Sequence, residues 1–448
     1  MIDSEMVNKR KFLSHDFISL FCEKNSDGTR HLRLKGRDLF QRIGRRLTAD
    51  DMPEIIRYLK YFPTVTSIDF CYNDIGDEGI KTLVDTYFCR ENDMQHLNLM
   101  HCDLTGKSLI YLNESLYLNL KSLRINGNLL EPQSAHLISQ LLKGCETLED
   151  LDIAETSMTF ESIANICRWI EVCNRLKILD ISRVVPKSNL YVNNSAILAN
   201  DLGYLLDKNS SLKELHAQKC DFMGHDMELL LYGLKTNKTL IMLDLGCNRI
   251  GNYGVELLAK WLKTKPALRG LNLSNNQIGE IGARALSLAI PYASLRLLDI
   301  SYNDITDTGM NHILFCLKKT ERLRMLYMWG NPITSVSNMI IARLLRTQIL
   351  AQEHIDVKVY YVDGVAYAAY YPGNHYKHRY YCVMDHGCPV EIKIKKNRIP
   401  DEDTQRPAMV DLKYYDRIPP YEFPPKPRRQ TYYCDSRCLD KVEFERAD

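Results

Sequence analysis

Four cysteines near the C-terminal end, Cys382, Cys388, Cys434 and Cys438, stand close in sequence to His375, His378 and His386. Thiolate sulfur and imidazole nitrogen are the donors of a structural zinc ion, which takes four of them in a tetrahedron. The spacing argues against that chemistry. C-x5-C and C-x3-C replace the tight C-x2-C knuckle that lets two thiolates grip one ion, and the intervening segment is rich in Pro and charge. The residues therefore read as free thiols, with no metal and no cofactor.

Other chemistry is missing as well. The chain contains no Gly-rich phosphate loop of Walker type, no HExxH and no nucleophile elbow on a strand-to-helix turn, so no catalytic residues are assigned. "KIKKNR" at 393–398 and "KPRR" at 426–429 are short basic runs, diluted by the acids of "PDED" and "DRC". They read as solvated tail and do not favour nucleic acid as a partner. Pro424, Pro427 and Arg429 fit the P-x-x-P-x-R pattern that SH3 grooves accept, a hexamer frequent by chance.

Composition narrows the class further. The 448 residues are 45% apolar and 25% charged, the balance of a soluble globular protein. Lys and Arg number 58 against 56 Asp and Glu, so no whole-molecule field draws in polyanions or anionic lipid. The opening "MIDSEMVNKRKFLSHDFISLFC" lacks a signal-peptide core, and no stretch reaches the length of a membrane span, which predicts a cytoplasmic protein without membrane contact. The 14 cysteines are scattered, as small apolar fillers of a reducing compartment would be.

The elements that would position any site come from a repeat. The pattern L-x-x-L-x-L-x-x-N recurs ten times, starting at Val65, Met94, Leu120, Leu148, Leu176, Leu212, Leu240, Leu268, Leu295 and Leu323. The steps are 29, 26, 28, 28, 36, 28, 28, 27 and 28 residues, and a degenerate unit around "RHLRLKG" precedes the first, with Leu32 and Leu34 in strand positions and Arg37 replacing the Asn. The L-x-L core alternates with period two and predicts a short strand, in which Leu243 and Leu245 face inward and Asp244 faces the other way. Asn248 and its equivalents can turn an amide into the strand-to-loop corner. Cys102, Cys220 and Thr156 take that place in three units. In "IGNYGVELLAKWLKTKP", Ile250, Val255, Leu258 and Leu262 recur at helical spacing. One unit cannot bury both its strand and its helix face, so the copies must stack. The expected fold is α/β, a curved solenoid of about ten to eleven repeats with parallel strands inside the arc and helices outside.

These residues resemble a known family. "LxxLxLxxNxIxxxGxxxL", nearly verbatim from Leu240 and from Leu268, looks like the ribonuclease-inhibitor class of leucine-rich repeats. That class includes ribonuclease inhibitor, Ran GTPase activators, innate-immune receptors and ciliary scaffolds, and a shared fold does not choose among them. "VDGVAY" followed by "KHRYYC" is similar to the C-terminal element of one branch of the family, in which a VDG hairpin and a Lys-His-aromatic run follow the repeats. The resemblance implies a non-enzymatic protein of cytoplasm and nucleus or nucleolus, linked with stem and germ cells. Related repeat proteins build the ciliary axoneme.

Partner sites are expected on the inner strand wall. The residue between the two core apolars runs Asp69, Asn98, Arg124, Asp152, Asp180, His216, Asp244, Asn272, Asp299, Tyr327, an acidic row that either keeps an exposed sheet soluble or faces a basic protein. Toward the last two units Leu297, Tyr302, Met325, Tyr327 and Trp329 fall at expected exposed positions, where they form either an interface anchor or a surface covered by the chain's own C-terminal segment. The candidate partner-binding residues are thus Asp152, Asp180, Asp244, Asp299, Tyr302, Met325, Tyr327 and Trp329. The step of 36 adds about eight residues, "SRVVPKSNLYVNNSA", as a rim loop that carries a contact or has drifted neutrally.

After the repeats, Asp363 and Gly364 between β-rich flanks predict a hairpin, with Val357, Val359 and Tyr361 on one strand and Val365, Tyr367 and Ala369 on its return, pairing with the open edge of the last repeat. Beyond it, Pro and charge mark an extended tail, and 13 of the 26 tyrosines lie from Tyr360 to Tyr433. The expected organisation is an N-terminal helical segment at 1–28, a degenerate repeat at 29–64, the repeats at 65–350, a hairpin cap at 351–382 and a Tyr/Pro-rich tail at 383–448. The function read from this is a scaffold that binds protein partners, basic ones or members of a large assembly, with no small-molecule substrate. The competing reading is a regulator of a partner enzyme, of the Ran-activator or nuclease-inhibitor kind.

Overall fold

The computed structural model describes residues 13–25, 27–184, 194–319, 323 and 325–371. They fall into two compact units, 13–184 and 194–371. Both are α/β stacks of the leucine-rich-repeat kind.

In the first unit, strands β1 (Cys22–Lys24), β2 (Arg30–Arg33), β3 (Val65–Asp69), β4 (His96–Asn98), β5 (Ser122–Arg124), β6 (Asp150–Asp152) and β7 (Ile178–Asp180) pair in chain order. From β2 onward they are parallel, with Ile68, Leu97, Leu123, Leu151 and Leu179 side by side in register. The expected degenerate repeat is present as β2, and Leu32 and Leu34 are fully buried. Among its described residues, the segment expected to be helical holds one short helix, His15–Ser19, and then β1, which pairs antiparallel with β2.

The repeat steps have structural counterparts. Between Val65 and Met94 the step is one residue longer than 28, and the helix Gly76–Leu83 ends in a π turn, Val84–Phe88, the device by which a helix absorbs an extra residue. Where the step is 26, the helix Gly106–Glu114 has nine residues.

The second unit repeats the plan with β8 (Glu214–His216), β9 (Met242–Asp244), β10 (Gly270–Asn272), β11 (Leu297–Asp299) and β12 (Met325–Tyr327), parallel and in register through Leu215, Leu243, Leu271, Leu298 and Leu326. Ile250, Val255, Leu258 and Leu262 bury the inner face of the helix Gly251–Leu262, as their spacing predicts.

The corner asparagines form the expected ladder. Asn303 Nδ2 donates to the Leu273 and Ile300 carbonyls at 2.9 Å each, while its Oδ1 accepts from the Asn276 and Ile278 amides at 2.8 and 3.1 Å. One side chain thus stitches its own strand end to the strand end and loop of the preceding repeat. Asn73, Asn128 and Asn248 do the same. Cys102 keeps part of it, its thiol donating to the Phe70 carbonyl at 3.1 Å. Thr156 reaches the Ile153 carbonyl of its own strand, at 2.8 Å. A fourth departure is Val184, fully buried, which fills the corner with an aliphatic side chain. It immediately precedes residues 185–193, where the inserted segment lies outside the described residues.

The hairpin forms as β13 (Val357–Val362) and β14 (Val365–Tyr370), with Asp363 and Gly364 both at positive φ, 50° and 79°. Val357, Val359 and Tyr361 lie on the first strand and Val365, Tyr367 and Ala369 on its return, as expected, but the expected pairing with the open edge of the last repeat is corrected. A two-residue turn pairs Val362 with Val365, so Val357, Val359 and Tyr361 stand opposite Tyr370, Ala368 and Ala366. Val357, Val359 and Ala366 are accordingly buried, and Val365 and Tyr367 are exposed. The hairpin is also a sheet of its own. The edge of β12 meets a single parallel bridge, Leu326 to Ile355, just before the hairpin begins.

Candidate protein-interaction surface

The recurring Asp or Asn between the core apolars has a local cause that the repeat pattern does not reveal. In each case the side-chain Oδ1 accepts the backbone N–H two residues on: Cys71 to Asp69 at 3.0 Å, Ala154 to Asp152 at 3.1 Å, Gly246 to Asp244 at 3.1 Å, Ser301 to Asp299 at 2.9 Å. Short polar side chains form this turn at strand ends, which keeps Asp and Asn at the position independently of any ligand.

The row is not exposed, contrary to expectation. Asp152, Asp244 and Asp299 have no accessible surface, and Asp180 retains 3%. Parallel strands are spaced about 4.8 Å apart, so equivalent side chains stand shoulder to shoulder and cover one another.

In the first unit the row is broken by Arg124. Its guanidinium lies 3.5 Å from Asp150 Oδ2, which also accepts from Ser122 Oγ at 3.1 Å. Burial first, then the Asp180 carboxylate, hold Asp152 well above the usual carboxylate range, against the opposing pull of Arg124. Asp152 Oδ2 and Asp150 Oδ1 are buried without a hydrogen-bond donor.

In the second unit the break is His216. Its Nδ1 is 3.3 Å from Asp244 Oδ2 and its Nε2 is 3.4 Å from Glu214 Oε2. Asp244 also accepts from Gln218 Nε2 and Asn272 Nδ2, at 2.6 Å each.

The aromatic end of the second unit divides in two. Leu297, Met325 and Tyr327, expected on the surface, form with Met242 a fully buried apolar cluster, because these long side chains pack across adjacent strands. Tyr302 and Trp329 do lie at the surface. Tyr302 is 53% exposed at φ 55°, and its ring lies over Gly330, where a Cβ would come within 2.5 Å of it. Trp329 is half-buried, with its ring centroid 5.6 Å from that of Tyr370. Beside them opens a cleft of about 760 Å³ lined by Asp304, Trp329, Pro332, Asn338, Val365 and Tyr367.

Among the described residues no three His, Cys, Asp or Glu side chains converge as metal ligands, and no helix is long and apolar enough to cross a membrane. Cys71, Cys102, Cys145, Cys167, Cys220 and Cys316 are buried fillers, as expected. Burial first, then the Asp69 carboxylate, push the Cys71 thiol far up, which keeps it an inert thiol. Cys382, Cys388, Cys434, Cys438, His375, His378, His386, the two basic runs, the P-x-x-P-x-R hexamer and most of the clustered tyrosines lie outside the described residues.

Residues 63–84, 92–112, 236–259, 265–287 and 293–312 match the Leucine Rich repeat family. Leucine-rich repeat-containing protein 34 of Mus musculus is 36% identical over 188 residues, 42% of this chain and 45% of that protein. The Ribonuclease inhibitor of Sus scrofa is 26% identical over 200 residues, 44% of this chain and 42% of that protein. NACHT, LRR and PYD domains-containing protein 14 of Mus musculus is 26% identical over 269 residues, 57% of this chain and 25% of that protein. The chain thus spans between a quarter and just under half of the length of these relatives. Leucine-rich repeats generally mediate protein–protein interaction. With its asparagine ladder, its 28-residue strand–helix units and these similarities, the chain is a leucine-rich-repeat protein of the ribonuclease-inhibitor type that resembles leucine-rich repeat-containing protein 34.

Proposed function

We propose that this protein is a non-enzymatic scaffold, and that it takes a protein partner at the aromatic end of its second unit. The carrying observation is the pair Tyr302 and Trp329: one ring held over Gly330, the other against Tyr370, both reaching the surface beside an open cleft. Rings fixed in this way lose little freedom on binding and supply large contact area, the property of interface anchors. Met325 and Tyr327 anchor the strand that carries Trp329. Asp152, Asp180, Asp244 and Asp299 are buried within the strand walls of their own units and are not offered as contacts. The family resemblance is what supports an axonemal or a nucleolar assembly as the setting of this scaffold.

Affinity purification from ciliated and germ-line cells tests the reading, with wild type against Tyr302→Ala/Trp329→Ala. The expected result is a reproducible set of partners lost by a variant whose circular dichroism is unchanged. If the folded variant captures the same set, the reading fails. Similarity to ribonuclease inhibitor favours a second reading, regulation of a partner enzyme. Tight 1:1 inhibition of a ribonuclease, or stimulated GTP hydrolysis by Ran, would replace the scaffold by the regulator.

A further inference from the structure

Each helix of a repeat runs into the next strand through a short loop, so helix C-termini and strand starts line one edge. In the second unit that edge reads "YLLDKNSSLK", "LYGLKTNKTLI", "AKWLKTKPALR", "LSLAIPYASLR", "LFCLKK" and "ARLLRTQIL". Lys and Arg recur through the six segments, and Asp207 is the single carboxylate among their described residues; the fifth continues toward its strand as Thr320, Glu321 and Arg322, which lie outside the described residues. It is already engaged, by Lys208 at 2.9 Å and by Thr236 Oγ1 at 2.7 Å. Lys235, Lys238, Lys260, Lys263, Lys265 and Lys318 are exposed and make no ion pair among the described residues.

Helix dipoles favour cations at helix C-termini, but they do not account for this edge. The first unit has the same dipoles, and there the edge is mixed: "RYLKYFPT" is free of acids, but "DTYFCREND", "ESLYLNLK", "LLKGCETLED" and "IEVCNRLK" all carry them. Among the described residues, basic segments free of acids follow one another only in the second unit.

Apolar side chains are interleaved with the charges. Equivalent positions of successive helices carry Tyr204, Tyr232, Lys260, Leu288, Phe315 and Arg343. The four apolar members are 48–55% exposed. Tyr204 and Tyr232 touch edge to face at 5.4 Å, and the Lys318 ammonium lies 5.4 Å from the Phe315 ring. Helices pack about 10 Å apart, so this row presents one side chain about every 10 Å.

We propose that the basic edge of the second unit is a docking surface for an acidic polypeptide segment that also carries apolar side chains. An extended segment rises about 3.3 Å per residue, so every third residue meets a new helix end. Asp or Glu at some of these steps pairs with lysines that have no internal partner, and an aromatic or aliphatic residue covers the exposed rings. The edge suits nucleic acid less well. Lysine predominates along it, whereas bidentate phosphate recognition selects arginine. This surface is independent of the Tyr302 and Trp329 end.

Binding of the full chain to fluorescent poly(Glu,Tyr), measured by anisotropy, tests the proposal, with poly-Glu, a single-stranded RNA and phosphatidylserine vesicles as competitors. Lys235→Glu/Lys238→Glu/Lys263→Glu/Lys265→Glu should weaken binding about tenfold or more, and the corresponding Lys→Gln variant should weaken it less. Tyr232→Ser/Phe315→Ser should lower affinity for poly(Glu,Tyr) several-fold and leave poly-Glu unchanged. Reversing as many charges in the first unit, at Lys81, Lys107, Lys143 and Arg168, should have little effect. Equal loss in that control, no loss in the edge variants, or tighter binding of RNA or vesicles through the same lysines would each overturn it.

Discussion

Asp356 Oδ1 lies 2.7 Å from the amide nitrogen of Met328 and also accepts the amide of Trp329 at 3.2 Å. In the preceding repeat the equivalent amides, Ile300 and Ser301, donate to the backbone carbonyl of Tyr327 and to Asp299 Oδ1, at 2.9 Å each. One carboxylate therefore takes the place of a carbonyl of the next strand at Met328 and of the strand's own aspartate, which Tyr327 replaces, at Trp329. Beside the Leu326–Ile355 bridge, a side chain thus satisfies amides that the edge of the last repeat would otherwise leave open.

Asp356→Ala should accordingly strip both amides of their acceptor. An unsatisfied buried N–H costs about 1–3 kcal/mol, so the loss should be about 2–4 kcal/mol in chemical denaturation of the second unit. Hydrogen exchange at Met328 and Trp329 should accelerate, and Asp356→Asn, which retains an oxygen acceptor, should recover about half. Unchanged exchange at both amides would show that the carboxylate is not what closes the edge.

Arg124 is the basic residue beside Asp150 and Asp152. Arg124→Met keeps volume and removes the charge, leaving buried carboxylates uncompensated. Removing one partner of a buried pair costs about 3–5 kcal/mol, which is expected here in the stability of the first unit. Adding Asp150→Asn and Asp152→Asn to the Arg124→Met background should restore much of it. A single variant as stable as wild type would remove Arg124 from the architecture of the wall.

The pH dependence of Asp152 has a definite sign. Its folded pKa is raised, by burial first and Asp180 second, above the value of the unfolded chain. Between those two values the folded state holds a proton that the unfolded state does not, so stability contributed at low pH is lost as pH rises through the window. Asp152→Asn keeps the Oδ1 that accepts the Ala154 amide and removes the titration. It should raise stability at neutral pH by about 1 kcal/mol and flatten the profile above pH 4. Asp77 has the opposite sign: burial pushes it up, but hydrogen bonds from Ser108 and Thr105 outweigh burial and hold its carboxyl below the usual range. Asp77→Ala should therefore matter at neutral pH and lose its effect as pH falls through the carboxylate range.

The contrast between these residues shows what the sequence made readable. The L-x-L strands and corner asparagines were legible because a period near 28 repeats one physical solution many times, and Asp363-Gly364 was legible because few dipeptides take two positive φ angles in succession. The inner wall misled because its Asp and Asn residues answer a backbone amide two positions away, which periodicity reports only as recurrence. Val184 could have been read directly from the motif starting at Leu176. The hairpin register could also have been counted from its two-residue turn. Asp356 gave no such signal, since a lone Asp seven residues before a turn means nothing until the strand edge stands beside it. Burial of Met325 and Tyr327 likewise depends on which long side chains meet across strands, information absent from any single repeat.

Close helix packing supplies a further test, in which two effects compete. The helices Ser195–Lys208 and Asp226–Leu234 approach so closely that a Cβ on Gly233 would lie 1.9 Å from the Gly203 carbonyl oxygen and 2.8 Å from the Asp207 nitrogen. Gly233→Ala gains up to about 1 kcal/mol of helix propensity. Against this, the obstacle is backbone, which cannot rotate aside, and overpacking of this kind costs about 1–3 kcal/mol or more. The clash should win, with a net loss of about 2 kcal/mol and a lower melting temperature. Gly144, at the end of its helix with nothing within 4 Å of an added Cβ, is the matched control. Gly144→Ala should be neutral or stabilising. If Gly233→Ala behaves like Gly144→Ala, the two helices are not held at this distance in solution, and the tight repeat-to-repeat contact in the second unit must be given up.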